Sequence, residues 1–445
     1  EKGLLTLIRH VPGALRRLVD DAADVPANIS EVVTRDAAAE VDPETVGMTA
    51  EGVDAIWRSI ERIYATGMHP GITMVLRRHG EVVIRRAIGH ARGNGPDDLG
   101  EEKVAMTPET PVCLFSASKA PAAMLVHLLS ERKEISLLDP VSHYIPAFGQ
   151  NGKQDISIYQ LLCHKAGIPS IRVDHDEAEA LLTSPRALLA RLYAAAPDRP
   201  GQHHAYHALT AGFVIADLVE KVSGQSFRRF FRENVTGPLG LSTMGFGAKG
   251  EIARRVARNY VTGLKVSLPG NLYLERAIGM TLESATHLSN DPAFYRAVIP
   301  AGNGVATADE CAAFFQCLLN GGQLDGVRVF NPLTVRRAIV EVGKPEIDRS
   351  LLVPIRYSAG MMLGTRPWGL YGPDTGRAFG HLGFTNNLIW ADPERAISVA
   401  VLTTGKLILG LHAPYLLGLL SNISRHCTKL SADEQASELL ASGMH

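Results

Sequence analysis

Three features of the 445-residue sequence predict an α+β fold, in which an antiparallel sheet is built from both chain ends, flanked by helices, with a mainly helical region inserted between them. β-rich runs gather near the two ends, helix-period patterns fill the middle, and neither strict βαβ alternation nor a fixed-period repeat is present. A doubly wound sheet, a TIM barrel and a solenoid all lose ground on that last point. A chain of this length buries a large core, as one big domain or as two intimately packed parts. The expected organisation is an amphipathic or extended segment over 1–47, a main domain over 48–428 and a polar tail over 429–445. Within the main domain the mixed part takes about 48–115 and 320–428, and the helical part about 116–319.

At the start of the chain, Leu4, Leu5, Ile8, Val11, Leu15 and Leu18 recur at helical spacing, although Pro12 interrupts them. Packing against the body is the expected meaning, with weak peripheral membrane contact through residues 1–20 as the alternative. This stretch lacks the unbroken apolar core of an export signal, and no run approaches 18 apolar residues. A cytoplasmic protein without a transmembrane segment is therefore expected. A helix follows over about 50–65. In GITMVLRRHGEVVIRRAIG two β-rich runs flank Arg78-His79-Gly80, a hairpin signal. Helix patterns then cover 117–129, 158–163, 184–195, 209–222, 226–235 and 308–319. Gly224 reads as a C-cap, and Thr307 with Glu310 as a capping box. Strand patterns return in SAGMMLG, FTNNLIWAD and AISVAVLTT, before a terminal helix over about 408–424.

A formal net charge of −1 with no long run of one sign lacks the footprint of a nucleic-acid binder and favours a small-molecule partner. Cys113, Cys163, Cys311, Cys317 and Cys427 are scattered without C-x-x-C, so reduced, mostly buried thiols are expected. His203 and His207 have i, i+4 spacing, but no carboxylate completes a metal pattern, and neither a metal nor a cofactor is expected.

The chemistry begins at CLFSASKAPAAM. Ser116 and Lys119 are three apart where a helix starts, so hydroxyl and amine share a face, and the helix dipole favours developing negative charge there. This is a nucleophile beside a base, set against the blander reading of a capping serine. Ser130 and Lys133 repeat the spacing in SERKEIS, after the apolar run has ended, and read as a solvated helix end. Tyr206 precedes the helix over 209–222 and can project its hydroxyl into a cleft. His381-Leu382-Gly383 opens a strand, and glycine there marks a close approach.

Together these residues resemble the serine β-lactamase-like superfamily, which includes class C β-lactamases, DD-peptidases and the family VIII carboxylesterases. Ser116-Ala117-Ser118-Lys119 matches its S-x-x-K, Tyr206-His207-Ala208 its tyrosine motif, and His381-Leu382-Gly383 its K-T-G position. Leu161 to Gly167 resembles L-L-x-H-x-x-G, and the likeness covers roughly residues 48–419. Class C lactamases carry Tyr-x-Asn and Lys-Thr-Gly. Here Ala208 replaces the Asn, and His381 and Leu382 replace Lys and Thr, so the pattern looks more like the esterase and lipase-like members. No G-x-S-x-G is present.

The resemblance implies a serine carboxylesterase forming an acyl-enzyme on Ser116 with an uncharged ester. Tyr206, its pKa lowered by the Lys119 cation, would carry the hydroxyl proton, although Lys119 and Tyr206 both stay open as the base. The oxyanion would rest on the backbone N–H groups of Ser116 and Phe384, next to Gly383. His381 would orient substrate or support Tyr206. Lactamase, DD-peptidase or acyltransferase activity on the same scaffold, or an inactive binding protein, are the alternatives.

Overall fold

The computed structural model describes residues 21–171, 184–264, 266, 268–384, 386–408 and 410–444. The amphipathic stretch of the first 20 residues lies outside them. The main sheet runs β1 (Val33–Arg35), β3 (Glu81–Arg92), β2 (Gly71–Arg78), β9 (Ile397–Thr403), β8 (Asn387–Asp392), β7 (Phe379–Gly383), β6 (Met362–Leu363), β5 (Pro354–Tyr357) and β4 (Glu346–Ile347), every neighbour antiparallel. The two chain ends meet where β2 pairs β9, from Ile72 against Thr403 to Arg78 against Ile397. The β2–β3 hairpin turns at His79 and Gly80, both at positive φ, as the right-handed twist of a tight hairpin requires.

Each face of the sheet carries its own core, and the pleat sorts the residues between them. Ile72, Met74, Leu76, Trp390, Val399 and Val401 pack towards α1 (Ala50–Ala65) and the C-terminal α7 (Ala413–His426). Val75, Ile389, Ala400 and Leu402 pack towards α6 (Ala308–Leu319) and the inserted helices. Burial on both sides explains why AISVAVLTT is apolar without alternation. Thr49 starts α1 by accepting from the Gly52 N–H at 3.1 Å, and the capping box of Thr307 and Glu310 starts α6.

α2 (Lys119–Glu131) runs through the middle of the helical region and is buried from Lys119 to Leu129, which accounts for its apolar character all round. Around it lie α3 (Ile158–Leu162), α4 (Pro185–Ala194) and α5 (Thr210–Ser223), the last ended by Gly224 at φ 67°. All five cysteines are buried and unpaired. No helix among the described residues is long and apolar enough to cross a membrane.

Several elements differ from expectation. SAGMMLG contributes strand only at Met362–Leu363, because Gly360, at φ 118°, donates its N–H to Ser358 in a tight turn. The stretch 226–235 divides into an α-helix over Phe227–Phe231 and a π-helical turn over Arg232–Thr236. The terminal helix begins at Ala413, with Pro414 in its first turn. Segment 429–445, expected as a polar tail, carries α8 (Ala432–Ser442), opened by a capping box of Ser431 and Glu434; Met444 beyond it packs into the core. At the entry to the inserted region a small sheet pairs Val112–Cys113 and Gly245–Phe246 with Gly304–Ala306.

Candidate active site

The small sheet and α2 together fix Ser116. The chain leaves Val112–Cys113 through Phe115, a non-glycine residue at φ 48°, and enters a 3-10 turn over Phe115–Ser118 that runs into α2. A left-handed residue of this kind costs energy that surrounding contacts must hold. Here Leu114 donates its N–H to Gly304 O at 2.7 Å. Ser118 donates to Phe115 O at 2.5 Å and accepts from the Gly304 N–H at 2.8 Å. A side chain at 304 would come within 2.5 Å of Ser118 Oγ, so glycine is required there. The turn leaves Ser116 partly exposed while Phe115, Ala117 and Ser118 are buried.

Lys119 Nζ stands 3.3 Å from Ser116 Oγ, 2.6 Å from Ala208 O and 3.1 Å from Ala301 O. Burial holds its pKa well below the ordinary lysine value. A neutral amine has two N–H donors and one lone pair. With the two carbonyls taking those donors, the lone pair of the neutral form would face the Ser116 hydroxyl. Asn303 keeps the second carbonyl in place, donating to Phe294 O (2.7 Å) and Ala297 O (2.8 Å) and accepting from Ile299 N–H (2.9 Å).

Tyr206 is buried, its hydroxyl facing Ser116 and its ring 4.7 Å from Lys119 Nζ. The expected lowering of its pKa is reversed. Burial raises it, the Ser116 hydroxyl opposes that, and Asp348 raises it further. The lysine that was to act as a cation is itself driven towards neutrality, so burial outweighs the attraction it would have supplied. Tyr206 is therefore a protonated phenol beside an amine.

His381 is buried, with Nδ1 2.7 Å from Leu382 O and its ring 6.3 Å from that of Tyr206. Burial first, then Lys119, pushes its pKa down to about 3, so the imidazole is neutral. β7 is flanked by β8 along its whole length but by β6 only at Phe379 and Gly380, which leaves His381 to Gly383 as a local edge facing the site. A side chain at Gly383 would meet Leu114 O at 2.0 Å, so glycine lets this edge press against the turn before Ser116. The Phe384 ring stacks near Phe115, centroids 5.1 Å apart. Beside Ser116 opens an apolar cavity of about 70 Å³, walled by Met280, Ala285, Leu288, Phe294, Ile299 and Phe384.

Ser130 and Lys133 lie at the far end of α2, and Lys133 has left the helix at φ 62°. His203 and His207 do not converge: His203 Nδ1 is 3.6 Å from Glu346, whereas His207 Nε2 accepts from the Ile168 N–H at 3.2 Å. Sequence reasoning noted Ala208 only as a departure from Tyr-x-Asn and missed its carbonyl at Lys119, and it missed Ala301, Asn303 and Asp348 altogether. The Gly302-Asn303-Gly304 run is the sequence signal that could have pointed to Asn303.

A buried amine on a serine hydroxyl at a helix start, with a phenol and a strand edge opposite, is the arrangement of serine hydrolases that work through an S-x-x-K pair. The chain belongs to the Beta-lactamase family, whose model matches residues 60–410. It is 30% identical over 311 residues to the esterase/beta-lactamase LipL of Mycobacterium tuberculosis, covering 65% of this chain and 68% of that one. Among solved structures, a family VIII carboxylesterase superposes with a TM-score of 0.72 at 25% identity, over 86% of this chain and 99% of that one. A penicillin-binding protein homologue from Caulobacter crescentus gives 0.71 at 26%, over 84% and 98%. The fold is thus of the β-lactamase and transpeptidase type, and the chain is a serine hydrolase of this superfamily.

Proposed function

We propose that the protein is a carboxylesterase acting on uncharged carboxylic esters through an acyl-enzyme at Ser116. The observation that carries this reading is the pairing of an apolar acyl cavity with a strand edge bearing neutral His381 and Leu382, where a lactamase would present Lys and Thr. An anionic carboxylate finds no cation on that edge, whereas an aliphatic acyl chain finds apolar walls. The similarity to an esterase/beta-lactamase and to a family VIII carboxylesterase supports it.

In the mechanism, neutral Lys119 takes the Ser116 proton as Oγ attacks the ester carbonyl. The backbone N–H groups of Ser116 and Phe384 receive the oxyanion at the helix start. Collapse of the tetrahedral intermediate breaks the bond to the alcohol oxygen. That oxygen takes the Tyr206 proton, and the Lys119 ammonium restores the phenol. Water then repeats the sequence on the acyl-enzyme, Lys119 again accepting the proton. Neutral His381, its ring 6.3 Å from that of Tyr206, stands at the edge to support the phenol or orient the substrate.

The test is turnover of p-nitrophenyl esters beside nitrocefin and a D-Ala-D-Ala peptide. Ester kcat/KM should exceed that for nitrocefin by at least about a hundredfold, or about 2.7 kcal/mol of transition-state binding. Nitrocefin or the peptide turned over as fast as the esters would move the protein to the lactamases or peptidases.

A further inference from the structure

We propose that Asp348 is a positioning residue for this reaction: its carboxylate, held between Tyr206 and Tyr357, sets where the Tyr206 hydroxyl stands against Ser116. The inference rests on the reading of Tyr206 as the proton donor to the leaving alcohol.

Asp348 is wholly buried. Its Oδ1 accepts from the backbone N–H groups of Tyr206 (3.1 Å), Ser350 (2.8 Å) and Leu351 (2.8 Å), and its Oδ2 from the Tyr357 hydroxyl (3.0 Å). Four donors satisfy the carboxylate, three of them converging on Oδ1. The bonds to Ser350 and Leu351 make a local turn that a serine or asparagine side chain also closes. The bond to Tyr206 spans 142 residues of sequence and adds nothing to that turn.

Tyr206 needs such an anchor because it lies in an irregular segment between Gly201 and α5. Tertiary bonds hold this stretch from both sides: His204 N–H to Glu346 (2.7 Å) and Arg349 N–H to His204 O (3.0 Å), Ala205 N–H to His164 O (2.9 Å) and His207 N–H to His164 Nδ1 (3.1 Å), and at the tyrosine itself Tyr206 N–H to Asp348. The ring of His164 lies 4.8 Å from Tyr206 and 5.0 Å from Tyr357, so the aspartate's second partner packs on the tyrosine's other neighbour. Asp348, Tyr357, His164 and Tyr206 thus form a closed circuit. It meets the Ser116 hydroxyl at the Tyr206 phenol, whose ionisation the carboxylate also opposes.

Two variants separate the link from the turn. D348S keeps an acceptor for Ser350 and Leu351 but is too short to reach Tyr206; D348N keeps an acceptor for all three N–H groups. Each is assayed on the p-nitrophenyl ester and the ethyl ester of one acid. The former expels a leaving group that needs little protonation, and the latter an alkoxide that needs a full proton. D348S should lose about tenfold or more in kcat/KM on the ethyl ester and less than about threefold on the p-nitrophenyl ester, with an intact thermal transition. D348N should restore both rates. Y206F should show the same leaving-group bias, and adding D348S to it should cost nothing further on the ethyl ester. Equal losses on the two esters, a D348N as impaired as D348S, or a fresh loss in the Y206F background overturns the inference. If Y206F hydrolyses the ethyl ester normally, the proposed role of Tyr206 falls first. If Y206F is impaired and D348S is not, only the role of Asp348 falls.

Discussion

The apolar cavity beside Ser116 makes acyl length the most direct quantity to perturb, and Ala285 is the place to do it. This residue sits on the short helix Leu282–Leu288, half-buried, with its methyl group forming part of the cavity wall. With about 70 Å³ to fill, the cavity has room for roughly five methylene-sized groups. Each methylene moved from water to apolar walls contributes about 0.8 kcal/mol. Butyrate carries two more than acetate, so the p-nitrophenyl butyrate over acetate ratio of kcat/KM should be about 15 in the native enzyme, equivalent to about 1.6 kcal/mol. Ala285→Phe places a phenyl ring in that space, at a helix-propensity cost of only about 0.5 kcal/mol. Acetate turnover should stay within about threefold of native while the ratio collapses to about 1 or below. Steady-state kinetics on the two esters, with a thermal melt as the folding control, decides the matter. A ratio that survives in Ala285→Phe, or a native enzyme indifferent to chain length, would show that the acyl group binds elsewhere.

Ser116→Ala should remove ester hydrolysis by several orders of magnitude with the melting temperature nearly unchanged, whereas Ser130→Ala should keep full activity; inactivation by the Ser130 change would reverse the assignment. Lys119→Arg should be inactive at every pH, since arginine stays protonated, and native kcat/KM should rise with pH as Lys119 loses its proton, with a midpoint well below the ordinary lysine value because burial depresses it. Activity retained by the arginine variant would assign the base elsewhere.

What the sequence determined by itself was whatever depends on near neighbours. Ser116 and Lys119 share a face because they are three apart at a helix start, and the structure sets them 3.3 Å apart. The hairpin at His79-Gly80, the cap at Gly224 and the box at Thr307 were legible for the same reason: each is a bargain struck within a few residues. Met362–Leu363 was overread because the runs of small and apolar residues around it did not reveal the turn at Gly360. The helix at Ala432–Ser442 went unseen because its capping box leads into a polar face. Only the tertiary structure brought Ala208, Ala301 and Asp348 to the site, since two of them act through backbone carbonyls and the third is 142 residues from its partner. It also decided the protonation states. A lysine beside a tyrosine in sequence terms reads as a cation lowering a phenol, but desolvation falls on both groups once the fold closes over them. Burial disfavours the charged form of each, so the lysine is driven towards the neutral amine and the tyrosine keeps its proton.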